Sequence, residues 1–243
     1  MTQESIISSA YKNDEKIKRK FVNRAVKHRR ADEIVKGLYW NGKSGCCVGC
    51  LAHVNTDAHE ALEEQANIPL MVSKLADSIH EGLPSGKYQK WPERFVKSIK
   101  TGSDLSLVGW KFLHWNLTEN LILKDSQDKD VQKSIIECRE AIKKCADVLA
   151  PMTKGKPVDK DAARSAARRA ERAAWSAESA AWRAASAESA ARRAASAESA
   201  ESAAWRAASA ASAESAASTA WSTAWSAAWG KMADKLIELL EAA

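Results

Sequence analysis

Apolar residues along the first 150 positions recur at spacings of three and four, and no stretch sustains the period-2 alternation of a half-buried strand. The clearest run is Val131, Ile135, Cys138, Ile142, Cys145 and Leu149, which predicts one helix with a continuous buried stripe. Ile68, Val72, Leu75 and Ile79 repeat in the same way, Pro69 sits where that helix would begin, and Gly82 is placed to end it. Gly82 to Lys90 reads as a loop, after which Trp91-Pro92 opens a helix with Phe95, Val96 and Ile99 inward. Ser103-Asp104 starts another, bearing Leu107, Trp110, His114 and Leu117, while Thr56-Asp57 caps one carrying Leu62. Ser5 to Lys36 is expected to be helical, with Ile17, Phe21, Val22, Ala25 and Val26 on one side. A Gly-rich turn, Gly37 to Gly49, separates it from a helix through Cys50 and His53. These elements predict an all-α fold: a helical N-terminal domain over 1–150, a linker over 151–160 marked by Pro151 and Pro157, and a helical segment over 161–243.

That last segment departs from any ordinary core. Asp161 to Trp229 contains 32 Ala, 14 Ser, 8 Arg, 6 Glu, 6 Trp, 2 Thr and 1 Asp, with no larger aliphatic residue, Gly or Pro. Ala-Glu-Ser-Ala recurs at 177–180, 187–190, 197–200 and 213–216, the mark of an expanded short unit. Ala, Arg and Glu are good helix formers, so a long Ala/Ser/Trp/Arg-rich helix is expected. Unbroken from Val158 to Trp229, it would reach roughly 108 Å. Trp221, Trp225 and Trp229 fall on one side of it as a ridge, which is expected to dock on the N-terminal domain, meet a second chain, or present flat rings to a ligand. The closing residues Met232, Leu236, Ile237 and Leu240 form an amphipathic stripe expected to dock as well.

Charge adds a narrower clue. The chain of 243 residues carries 37 Lys and Arg against 31 Asp and Glu, a net +6, and its mean hydropathy is −0.40. Ten of the basic residues and five of the acidic ones precede Gly37, so the excess sits at the N-terminus. Lys16, Lys18, Arg19, Lys20, Arg24, Lys27, Arg29 and Arg30 suit either phosphate contacts or a solvated helix face, and the second is favoured. No window approaches the roughly 20 apolar residues of a bilayer span. The polar opening residues predict no secretory signal, and five cysteines without one predict a reducing, cytoplasmic setting.

Two short motifs invite chemical readings. Gly37 to Ser44 satisfies G-x4-G-K-[ST], in which Lys43 would reach phosphates, but a P-loop needs a buried strand before it and none is predicted. Cys47-x2-Cys50-x2-His53 offers two thiolates and an imidazole at i, i+3 and i+6, a partial zinc set that His59 or His80 would complete. The competing reading takes these cysteines as small apolar residues in a tight helix contact, and Cys138 and Cys145 belong to the core stripe. No catalytic constellation follows from spacing, so enzymatic activity is disfavoured and no cofactor beyond possible zinc is expected. Tyr39, Trp40 and Lys43, with Trp221, Trp225 and Trp229, are the candidate ligand- or partner-binding residues.

Gly37-Leu-Tyr-Trp-Asn-Gly, Gly45-Cys-Cys-Val-Gly-Cys with His53, Trp91-Pro-Glu-Arg-Phe and Gly102-Ser-Asp-Leu, followed by an Ala-rich tail, resemble proteins of gut bacteria and their phages, some described as immunity proteins. The resemblance implies a role in conflict, immunity or anti-defence, exercised by binding a protein, and carries over no catalytic residue. A protein partner or self-association is therefore expected. Sequestration of a small nucleotide by Trp rings and basic side chains is the alternative, with a structural helical rod third; membrane and nucleic acid are disfavoured.

Overall fold

A computed structural model describes residues 9–120, 125–159, 161–170, 172, 173, 176 and 226–243. The fold is all-α, and the described residues contain isolated β-bridges but no strand. They divide between two compact units, one within Met1–Leu113 together with Ser226–Ala243 and one within His114–Trp225. No helix among the described residues is long and apolar enough to cross a membrane.

The first unit holds α1 (Glu15–Arg30), α2 (Cys47–Ala52), α3 (Ala58–Ala66), α4 (Leu70–Gly82), α5 (Trp91–Ser98) and most of α6 (Val108–Trp115). The short α2 is the hub: it packs on α1, α3, α4 and α5, and all six of its residues are buried. Its composition explains this, because Cys, Val, Gly, Cys, Leu and Ala offer apolar surface with little bulk, so four neighbours can approach it closely. Phe21, Leu62, Ile68, Ile79, Phe95 and Ile99 fill the space around it.

Several boundaries differ from the sequence expectation, each for a local reason. The helix expected over Ser5–Lys36 begins only at Glu15, where the Asp14 carboxylate accepts from the Lys16 amide, and Ser5 to Ser8 lie outside the described residues. It stops at Arg30, two residues before Asp32 enters the left-handed region. The helix expected through His53 ends at Ala52 because His53 itself is left-handed, at φ 59°. Asp57 does occupy the cap of α3, but its side chain makes no capping hydrogen bond. Ser103-Asp104 forms a turn, in which Asp104 Oδ1 accepts from the Ser106 amide, and α6 starts at Val108. Pro69, Gly82 and Trp91-Pro92 stand at helix boundaries as the pattern predicts.

The 226–241 helix belongs to the first unit. Ala233, Leu236, Ile237 and Leu240 are buried, so the amphipathic ending docks as its pattern predicts. Trp229 lies over Gly82, where no larger residue would fit beneath the ring. Arg94 pairs with Asp234 at 2.8 Å, and Lys100 Nζ donates to the Glu241 carbonyl. Trp221 and Trp225, like most of the Ala-rich repeat, lie outside the described residues.

In the second unit α7 (Lys129–Leu149) buries Val131, Ile135, Cys138 and Cys145 along its predicted stripe. Asp128 caps it by accepting from the amides of Asp130 and Val131. A short turn, Ala150–Lys154, and the left-handed Gly155 follow, and residues 161–170 are helical.

Candidate functional site

The loop between α1 and α2 places most of the chemically capable side chains. Asn41 Oδ1 accepts from the amides of Lys43 and Ser44 at 3.0 and 2.8 Å, so those donors close a turn instead of pointing at a ligand. Ahead of the loop stands a helix, with only an isolated bridge between Ile34 and Gly45, which is not the strand a P-loop requires. The loop then folds back on α2. The Tyr39 carbonyl rests directly on Gly45 and Gly49, where any Cβ would overlap it, and the Cys46 amide donates to the Leu38 carbonyl at 2.5 Å.

On one side of this loop lies a chain of aromatic and imidazole rings. Trp40 stacks on His53 with ring centres 4.5 Å apart and planes 10° from parallel, and both rings meet His28 edge-on. His28 Nδ1 faces Glu33 Oε2 at 2.7 Å, and His28 Nε2 faces His53 Nε2 at 2.7 Å. A carboxylate only accepts, so His28 Nδ1 donates to Glu33, and one proton is shared between His28 Nε2 and His53 Nε2 in the direction the tautomers set. Burial, helped by Arg24, His28, Lys27 and Lys20, holds His53 down to about 4, which keeps the ring neutral at neutral pH.

A histidine held below its ordinary value binds its proton more readily in the unfolded chain, so stability should fall as pH drops from about 6.5 toward 4. Buried His80 is shifted the same way and adds to the trend. In thermal melts, His53→Asn should flatten the pH dependence across that window, since Asn tolerates the left-handed backbone but does not titrate. An unchanged slope would show that His53 does not contribute.

On the other side of the loop is an open depression of about 410 Å³ lined by Tyr39, Asp57, His59, Glu60, Lys74, Asp77 and Ser78. Three carboxylates against one lysine make it acidic. His59 Nε2 lies 3.3 Å from Asp77 Oδ2, and Tyr39 meets the His59 ring edge-on at 5.6 Å. Behind this pair, Cys46 Sγ and carboxylate oxygens of Asp77 and Glu81 lie within 4.8 Å of one another. Asp77 and Glu81 are four residues apart on α4, hence on one face of that helix, and Cys46 is the residue before α2. Glu81 also accepts from the Gly37 amide, at 3.0 Å.

The sequence candidates are distributed unevenly over this geometry. Cys47 and Cys50 are fully buried inside α2, and Cys50 Sγ donates to the Gly45 carbonyl at 3.2 Å. Burial pushes both thiols up, Cys50 to about 12, and Cys46 is pushed up by burial and by Asp77 beside it, so none of the three is a ready nucleophile at neutral pH. His53 is engaged with Trp40 and His28, and its left-handed backbone takes it off the helical register that i, i+3, i+6 assumed. Cys47, Cys50 and His53 are therefore not brought together; among the described residues the ligating side chains that converge are Cys46, Asp77 and Glu81. His59 joins them through Asp77, whereas His80 donates to the Val35 carbonyl from Nε2 and leaves Nδ1 buried without a partner. Tyr39 faces the depression, Trp40 the imidazole pair, and Lys43 lies on the exposed turn. Spacing on α4 offered a hint: Asp77 and Glu81, four residues apart, share one face of that helix.

A second feature emerges from α1. Lys16, Arg19, Lys20, Asn23, Lys27 and Arg30 are its exposed residues on one face, spanning an arc of roughly 100° at 3.6 residues per turn. Among the described residues none of these five cations is ion-paired. The neighbouring Arg29 and Lys97 are instead both ion-paired with Glu93, at 2.6 Å each.

Comparison of the chain with protein-family models, curated proteins and solved structures finds no significant match.

Proposed function

We propose that the protein is a non-enzymatic interaction protein that binds an acidic surface of another protein through the exposed face of α1, in the immunity or anti-defence role that its motifs imply by resemblance. The carrying observation is the row of Lys16, Arg19, Lys20, Lys27 and Arg30, five cations on one helix face that make no ion pair among the described residues. Between positions 16 and 30 this face runs about 21 Å, a length matched to one helix laid on a partner. Helix α1 is fixed from behind by the burial of Phe21, Ala25 and His28, so the row is rigid before a partner arrives. Such a face steers an oppositely charged partner and fixes its orientation.

Two observations weigh against the nucleotide alternative at the loop. One face of Trp40 is already taken by His53, and the adjoining depression is acidic, which repels phosphate. The α1 face also lacks an exposed aromatic on which a base would stack, which sets it apart from common single-strand binding surfaces.

Native mass spectrometry of the protein isolated at low ionic strength from the cells that make it tests this reading. A complex with an acidic protein is expected, released as salt rises and at least tenfold weaker in the Lys20→Glu/Lys27→Glu double variant. Both positions are exposed, so the fold should survive the change. Retained nucleotide, or a protein complex indifferent to the double variant, would overturn the proposal.

A further inference from the structure

We propose that Cys46, Asp77 and Glu81 form a binding site for one divalent transition-metal ion of the zinc type, independent of the α1 face. Their ligand atoms already lie within 4.8 Å of one another, drawn from the entry to α2 and two successive turns of α4. A tetrahedral ion with bonds of about 2.3 Å to sulfur and 2.0 Å to oxygen holds such atoms roughly 3.3–3.7 Å apart, so a small contraction completes the set.

A second observation suits a cation at this place. Asp77 Oδ1 is buried and accepts from no N–H or O–H donor, the Cys46 thiol being the donor beside this carboxylate, whereas Oδ2 faces His59 Nε2 at 3.3 Å. A thiol is a weak donor, so this buried oxygen is poorly satisfied, and an ion bound there would serve it better. Two acids four residues apart on one helix repel, and the same ion would reverse that repulsion. His59 would then orient the Asp77 carboxylate from its far side, the usual form of support behind a metal ligand. The open depression lined by Asp57 and Glu60 supplies an entry route of the right charge.

One sulfur and two carboxylates favour zinc over magnesium or calcium, which take oxygen ligands almost alone. Three protein ligands leave a fourth position for water. Binding breaks the Cys46 S–H bond, releases that proton to solvent, and forms the sulfur–metal bond, so one proton should leave per ion.

The test uses the full chain, stripped with a chelator and titrated with ZnCl₂ and separately with CoCl₂. One ion per chain is expected, with a near-ultraviolet thiolate-to-cobalt charge-transfer band. Cys46→Ser should abolish that band. Glu81→Gln, at an exposed position and still able to accept from the Gly37 amide, should bind zinc at least tenfold more weakly with an unchanged circular dichroism spectrum. If Cys46→Ser fails to fold, Glu81→Gln decides. Cys50→Ser and His53→Asn should leave the band intact. Absence of zinc binding at about 100 µM, undiminished binding in Glu81→Gln, or loss of the band in Cys50→Ser or His53→Asn would each overturn the proposal.

Discussion

Gly49→Ala is expected to unfold the first compact unit or to lower its Tm by roughly 10 °C or more. Gly49 stands in the middle of α2, where its φ is ordinary, so the reason is space and not backbone freedom. An added methyl would coincide with the carbonyl of Tyr39, with that residue's carbonyl carbon and Cα close behind. Those atoms are backbone and have no rotamer by which to escape. The loop would have to leave α2, and α2 is buried against four other helices. Overpacking of this kind costs on the order of 3 kcal/mol, with backbone the hardest obstacle to shift. Thermal melts of the purified variant measure it; a Tm within a few degrees of the parent would mean that the loop is not held on α2 as described. Gly45 meets the same carbonyl and should behave similarly.

The second large effect is expected at Trp91. Its ring is buried, lies 6.1 Å from that of Phe95, and donates from Nε1 to the Ala76 carbonyl at 2.7 Å, tying α5 to α4. Trp91→Ala should destabilise the unit by about 3–5 kcal/mol, as buried aromatics do when truncated. Trp91→Phe keeps most of the ring volume and loses the hydrogen bond, so it should cost less than Trp91→Ala does. Chemical denaturation of the two variants separates packing from hydrogen bonding. Equal losses would show that the indole N–H, not the ring, holds the joint.

Much of the fold is legible because its signals are local. The stripe of α7, the Pro69 start and Gly82 end of α4, and the Trp91-Pro92 opening of α5 are each decided within a few residues, and the described residues agree with them. The docking of Leu236, Ile237 and Leu240 was equally readable, because an amphipathic stripe needs something to cover it. The limits of α1 were less so, since Lys and Arg are good helix formers and no Gly or Pro stands between Arg30 and Gly37 to mark a stop before Asp32 turns left-handed.

The candidate site was readable only in part. The density of Cys, Gly and His over residues 45–53 drew attention to the right loop, but the periodic argument carried the helix one residue too far. His53 leaves the helix there, so a face shared by Cys47, Cys50 and His53 never forms. The residues that do converge, Cys46 with Asp77 and Glu81, are separated by about thirty positions and meet only because α2 packs on α4. Spacing rules describe neighbours on one helix and say nothing of that meeting. The α1 face shows the reverse case: its basic residues were visible at once, while the separation of exposed Lys20 and Lys27 from paired Arg29 required the position of Glu93 on α5.

The interaction reading is tested most directly by a photo-crosslinking residue placed at Asn23, in the middle of the α1 face, with the same residue at the exposed Ser85 as reference. Irradiated in the cells that make the protein, the position-23 form should yield one discrete crosslinked product containing an acidic protein. That product should vanish when Lys20 and Lys27 are reversed to Glu. Crosslinking at 23 no stronger than at 85, or a product whose added mass is nucleic acid, would contradict the account.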